Sequence, residues 1–192
     1  MIHTDRSRRL RRLVAPLVLT GVVAFGATAC SVHGEDESAS PSAEVATPAE
    51  QAQKTLDAGL EAHAAGDLTT AAAKYDATLA LDPTNKFAYY NLALIDEASS
   101  NYGLAEQKYR KAIDADPTYV PALFNLAILV TSSDPDEAIR LYQHAVAADK
   151  GDSSAWMNLG LLLRASGEKA EGNRAVATAI KLNPELTDPL GS

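Results

Sequence analysis

Apolar positions in the second two-thirds of the chain recur at helical spacing, in short segments separated by turn residues. The segments predict four pairs of helices: 48–64 with 68–81, 86–98 with 102–115, 120–132 with 135–148, and 153–165 with 168–182. Turns fall at Gly66-Asp67, at Ser99-Ser100-Asn101, at Ser133-Asp134-Pro135 and near Gly167. Thr47-Pro48-Ala49-Glu50 opens the first helix with a cap, a proline suited to the first helical position, and a glutamate placed for a capping box. Asp134 and Pro135 do the same for the sixth helix.

The pairs repeat. Pro83 and Pro117 lie 34 residues apart, as do Tyr75 and Tyr109, each four residues after an alanine (Ala71, Ala105). Asn91-Leu92-Ala93 and Asn125-Leu126-Ala127 keep the same period. From Pro117 to Pro184 is 67 residues, and the missing residue falls at the Ser133-Asp134-Pro135 turn, because Ala138 and Tyr142 come one place early. The last copy reads Trp156, Leu159-Gly160, a turn near Gly167, Gly172, Val176, Ala179 and Asn183-Pro184. This pattern resembles the tetratricopeptide repeat (TPR), with its W-x-x-L-G, A-x-x-x-F and P positions. The resemblance implies an all-α fold, a right-handed superhelical array of about four helix–turn–helix repeats near 52–85, 86–119, 120–152 and 153–186. The first copy departs most, with Ala58 in place of the leucine, and the third ends on Lys150 instead of proline.

Side-chain size follows the repeat. Gly59, Ala93, Ala127 and Gly160 are expected where the two helices of one repeat meet. Ala71, Ala105, Ala138 and Gly172 are expected at the crossing with the next repeat, with Tyr75, Tyr109 and Tyr142 filling the space between repeats. The tail after Pro184 is too short for a further capping helix, so the last helix, with Glu168, Lys169, Glu171, Asn173, Arg174 and Lys181, is expected to face water itself.

In TPR proteins the first helix of each repeat lines a concave groove, and the resemblance carries this to Asn91, Asn125 and Asn158. Each amide offers a donor and an acceptor to a peptide backbone. At i−1 and i+3 beside them lie Tyr90 and Leu94, Phe124 and Ile128, Met157 and Leu161. Leu56 and Leu60 continue the stripe, with Asp57 in the asparagine's place. Such a groove suits an extended or helical peptide of a partner protein. The alternative is that the asparagines support local helix geometry only. The family's carboxylate-clamp variety needs Lys or Arg on that face, and only Arg164 is a candidate, so that specificity is not expected. A second functional reading is a structural module that self-associates end to end.

Charge divides the chain. Residues 1–29 carry five arginines and one aspartate, while 12 of the 17 Lys and Arg and 24 of the 25 Asp and Glu follow from Cys30 on. So acidic a body argues against nucleic acid as partner. Leu13–Ala29 is a run of 17 uncharged, mostly apolar residues behind the basic start, closing on Ala27-Thr28-Ala29-Cys30. This is the layout of an export signal. It also resembles the bacterial lipobox, with Ala27 where leucine is usual, which implies lipidation at Cys30 and anchoring on the outer side of the cell membrane. A retained helix and a plain cleaved signal are the alternatives; 17 helical residues reach ~25 Å against a hydrocarbon layer of ~30 Å. Arg8-Arg9 admits twin-arginine export beside the general route. Residues 30–47, rich in Ser, Ala, Pro, Glu and Asp, read as a disordered tether.

No reaction centre emerges. The single cysteine forms no internal disulfide, and none of His3, His33, His63 and His144 lies near another histidine or a cysteine. His33 with Glu35, Asp36 and Glu37 reads as a solvated acidic run, His63 and His144 as helix-surface residues, and Trp156 as a repeat-filling aromatic. The expectation is a binding protein with no catalytic residue, metal or cofactor.

Overall fold

The computed structural model describes residues 46–189 and 191, all within one unit, Glu44–Ser192. The export segment, Cys30 and nearly all of the tether lie outside the described residues. Among those described there are eight helices and no strand: α1 Pro48–Ala64, α2 Leu68–Leu81, α3 Lys86–Ala98, α4 Tyr102–Ala115, α5 Val120–Val130, α6 Pro135–Ala148, α7 Ser153–Ala165 and α8 Lys169–Leu182.

Local chemistry explains the boundaries. Thr47 Oγ1 accepts from the Glu50 amide at 3.2 Å, and Glu50 accepts from the Thr47 amide at 2.7 Å, which closes the capping box. Asp67, Asn85, Asp134 and Asp152 cap α2, α3, α6 and α7 by accepting backbone N–H groups that have no intrahelical partner. Helix α5 stops at Val130, two residues short of the expected end. The Val130 carbonyl there accepts from the Asp134 amide at 2.8 Å and the Ser133 hydroxyl at 3.2 Å.

The same turn accounts for the short third repeat. Gly66, Ser100 and Gly167 hold equivalent places in the other three turns, with φ of 80°, 61° and 95°. This left-handed residue is the one the third repeat lacks. Ser100 adopts that conformation without being glycine, at a cost of about 1–2 kcal/mol.

Each helix packs on its partner in the same pair, and the second helix of a pair on the first of the next. The core is rich in small residues and falls into three clusters, the largest in the middle of the array. Ala93, Ala105, Ala112, Ala127, Ala138, Ala145 and Ala155 are all fully buried, so helix backbones approach closely around Tyr109, Leu123 and Leu126. A second cluster joins Leu56, Ala71 and Tyr75 to Ala88 and Leu92. Each large apolar side chain buried in this way contributes about 1.5–3 kcal/mol.

Close approach is tightest in the last pair. A Cβ on Gly160 would stand 2.8 Å from the Gly172 carbonyl oxygen and 2.7 Å from Val176 Cγ2. One on Gly172 would stand 2.6 Å from the Gly160 carbonyl oxygen and 2.7 Å from Arg164 Cγ. Gly172 therefore meets α7 of its own repeat rather than a following repeat, which corrects the expected assignment.

At the end of the array no further helix forms among the described residues, and Glu168, Lys169, Glu171, Asn173, Arg174 and Lys181 are exposed as expected. Residues 183–189 add a contact that was not expected. Leu186 packs on a cluster of Met157, Val176 and Ala179 with Trp156, Leu161 and Ile180 at its edge. Asp188 binds Arg164 through both carboxylate oxygens, at 2.7 and 2.8 Å. Seven residues of tail thus cover a face that a capping helix covers in longer arrays.

Candidate peptide-binding face

Two of the three asparagines are bound up with tyrosines of the preceding repeat. Asn125 Nδ2 donates to the hydroxyl oxygens of Tyr90, at 3.2 Å, and Tyr109, at 3.4 Å. Asn158 Nδ2 donates to the Tyr142 hydroxyl at 3.3 Å. Asn91 instead turns to the Phe87 carbonyl of its own helix, at 2.8 Å. Two amides therefore spend an N–H on tying one repeat to the one before. Every buried side-chain nitrogen or oxygen among the described residues has a partner, so the remaining polar capacity of Asn125 and Asn158 is turned to solvent.

The tyrosines of the second helices, Tyr75, Tyr109 and Tyr142, each stand against one repeating position at the end of the preceding first helix. Tyr75 lies 3.4 Å from His63 Nδ1, Tyr109 donates to Glu97 at 2.7 Å, and Tyr142 lines one hollow with Thr131. His63, Glu97 and Thr131 are related by the 34-residue period, and Arg164 follows in the fourth repeat, where Val176 replaces the tyrosine. His63 is thus half-buried against Tyr75 rather than a free surface residue. This inter-helix position was not singled out from the sequence; its signal is the same period, hidden because histidine, glutamate, threonine and arginine share no side-chain class.

Burial pushes the hydroxyls of Tyr75, Tyr90, Tyr109, Tyr119 and Tyr142 above the ordinary tyrosine value, Tyr119 to about 12 and Tyr109 furthest. Glu97 adds to the shift at Tyr109 by accepting a hydrogen bond from its protonated hydroxyl and by its negative charge.

The other groove candidates divide. Phe124 stacks edge-on against Tyr142, with ring centres 5.7 Å apart, and Tyr90 packs between Tyr109 and Tyr119 at 5.9 and 5.4 Å. Met157 is buried in the cluster beneath Leu186. Leu94 and Asn125 share a hollow of about 410 Å³ with Glu97, Ala98 and Tyr102. Ile128 and Leu161 share a hollow of about 520 Å³ with Thr131, Ser132, Tyr142, Asn158, Leu162 and Ala165. That second hollow has no charged residue in its lining, and Ile128 is 48% exposed at its edge. Leu60 is likewise exposed on α1. Arg164, held by Asp188 and by Asn173 at 2.7 Å, is engaged by the tail rather than open to a peptide terminus.

Among the described residues no group of three His, Cys, Asp or Glu is placed to hold a metal, and no helix is long and apolar enough to cross a membrane.

The family described as the Cilia and flagella-associated protein 70 middle TPR-like domain matches residues 55–183. The chain belongs to this family. Solved TPR structures share its architecture: MamA superposes with a TM-score of 0.62 at 21% identity, over 70% of this chain and 79% of that one. PilF of Pseudomonas aeruginosa gives 0.62 at 22% identity, over 72% of this chain and 64% of that one. A tetratricopeptide repeat protein from Parabacteroides merdae ATCC 43184 gives 0.63 at 18% identity, over 71% and 55%. No curated protein matches the chain. At these identities the likeness is one of fold, and the TPR array itself is what the chain shares with its neighbours.

Proposed function

We propose that this TPR protein is an exported, membrane-anchored adaptor that binds an extended, uncharged segment of a partner protein across α5 and α7. The observation that carries the reading is the hollow between Ile128 and Leu161. Its walls are aliphatic, its polar groups (Thr131, Ser132, the Tyr142 hydroxyl and Asn158) are neutral, and no charge stands in it. Neutral donors and acceptors beside apolar surface suit a peptide backbone with aliphatic side chains, and they disfavour a charged terminus, whose desolvation nothing there would offset.

The anchor is the second part of the proposal. A basic start, the apolar run to Ala29 and small residues before Cys30 support export with lipid on that cysteine. Two or more acyl chains give a stable hold at about 0.8 kcal/mol per buried CH₂. The TPR array then works on the outer side of the membrane, in the cell envelope. Labelling cells with a palmitate analogue tests the anchor: label on the wild-type chain and none on Cys30→Ser is expected, and label on both would refute it. For the groove, peptides selected from a random library against the folded chain are expected to lose binding at least about ten-fold on Ile128→Arg. Because Ile128 is half exposed, the helical circular dichroism should stay unchanged. Equal affinity for both chains would refute the groove.

A further inference from the structure

Asn183-Pro184-Glu185-Leu186 repeats the turn of Asp116-Pro117-Thr118-Tyr119: Leu186 N donates to the Asn183 carbonyl at 3.1 Å, as Tyr119 N donates to the Asp116 carbonyl at 3.0 Å. Leu186 therefore stands in the register position of Tyr119. Tyr119 packs on Tyr90, and Leu186 joins the cluster of Met157, the residue equivalent to Tyr90. The tail starts as a fifth repeat would, but Thr187-Asp188-Pro189 continues without a helix and sets Asp188 on Arg164.

The pair is well enclosed, with side-chain exposures of 12% for Arg164 and 16% for Asp188. Arg164 presents its planar fork in the two-bond geometry that selects a carboxylate. An apolar seat with an arginine spaced to reach a carboxylate two residues on is a recognition site in its own right.

We propose that the terminal face of α7 and α8 is a peptide site for an extended segment with leucine two residues ahead of an aspartate, filled in cis by Leu186 and Asp188. A partner carrying that spacing competes with the tail and displaces it. A second copy stacked end to end is the poorer occupant: the equivalent place before its first repeat is Gln51, which offers an exposed amide where the seat takes a leucine. This site shares Leu161 with the Ile128 hollow but not Met157, Val176, Ala179 or Arg164, and it does not rest on the function proposed for that hollow.

The probe is a fluorescently labelled peptide of residues 183–192, added to the full chain and to the full chain carrying Leu186→Ser and Asp188→Asn. The substituted chain is expected to bind it, and the unaltered chain to bind at least about ten-fold more weakly, because a tethered tail competes at an effective concentration in the millimolar range. Adding Arg164→Met should abolish binding, whereas adding Ile128→Arg should leave it unchanged. Asp188→Asn alone, which keeps Leu186 in place, should show the same order of affinities at a smaller spread and guards against loss of fold in the double variant. Absence of binding to both released chains, equal binding by the unaltered chain, or binding indifferent to Arg164→Met would overturn the proposal. Concentration-dependent dimerisation of the released chain without peptide binding would overturn it too, by giving the face to a second copy.

Discussion

Tyr109 donates its hydroxyl proton to Glu97 across 2.7 Å, linking α4 to the end of α3. Asn125 of the next repeat donates to the same hydroxyl. One buried oxygen thus joins both helices of the second repeat to the first helix of the third. Tyr109→Phe keeps the ring and removes the three-way link. It should cost about 1–2 kcal/mol, since the acceptor is charged but Glu97 remains half-buried and reachable by water. Tyr109→Ala should cost about 3–5 kcal/mol through the cavity it leaves. Denaturant melts of the two variants check both values.

Glycines of the last pair should separate sharply by place. Gly160→Ala and Gly172→Ala drive a methyl into backbone atoms of the facing helix, so each should lose about 1–3 kcal/mol despite alanine's better helix propensity. Gly103→Ala, in α4 with no neighbour within 4 Å, should gain up to about 1 kcal/mol. Gly167→Ala, at a φ of 95°, should lose about 1–2 kcal/mol through strain alone. Thermal melts of the four chains measure the contrast.

Ala105 is fully buried where α4 packs into the largest cluster. Ala105→Leu should overpack that crossing by about 1–3 kcal/mol, seen as a lower denaturation midpoint at unchanged slope.

The helices were legible because caps, turns and a 34-residue period all point the same way. Thr47 with Glu50, and Asp134 with Pro135, mark helix starts that local hydrogen bonds then realise. The end of α5 was missed because Thr131, Ser132 and Ser133 can continue a helix or close a turn, and the Val130 carbonyl decides between them. The candidate face was legible only as a stripe. Spacing put Asn125 and Asn158 on the first helices, but their bonds to Tyr109 and Tyr142 depend on how far apart neighbouring helices sit, which spacing along one helix does not contain. The tail's contacts were missed for a related reason: Leu186 keeps the register of Tyr119, but no helix follows it, and only the fold brings Leu186 to Met157 and Asp188 to Arg164.

Alkaline pH should unfold the chain through its tyrosines. The five shifted hydroxyls have folded values above their unfolded ones, so above about pH 10 the unfolded chain holds fewer protons than the folded one. Their stabilisation is therefore complete below about pH 10 and lost as pH rises from there. Tyrosinate absorbance at 295 nm and helical circular dichroism should change together for these residues. Ionisation of all seven tyrosines with the helical signal intact would contradict the burial described.

Methyl chemical-shift mapping addresses the peptide-binding face most directly. A library-selected peptide titrated into the isotope-labelled chain should move the methyl signals of Ile128, Leu161 and Leu162 while Leu104, exposed on α4, stays still. Shifts centred on Leu104 or spread evenly over the surface, with Ile128 unmoved, would contradict an adaptor that binds through α5 and α7.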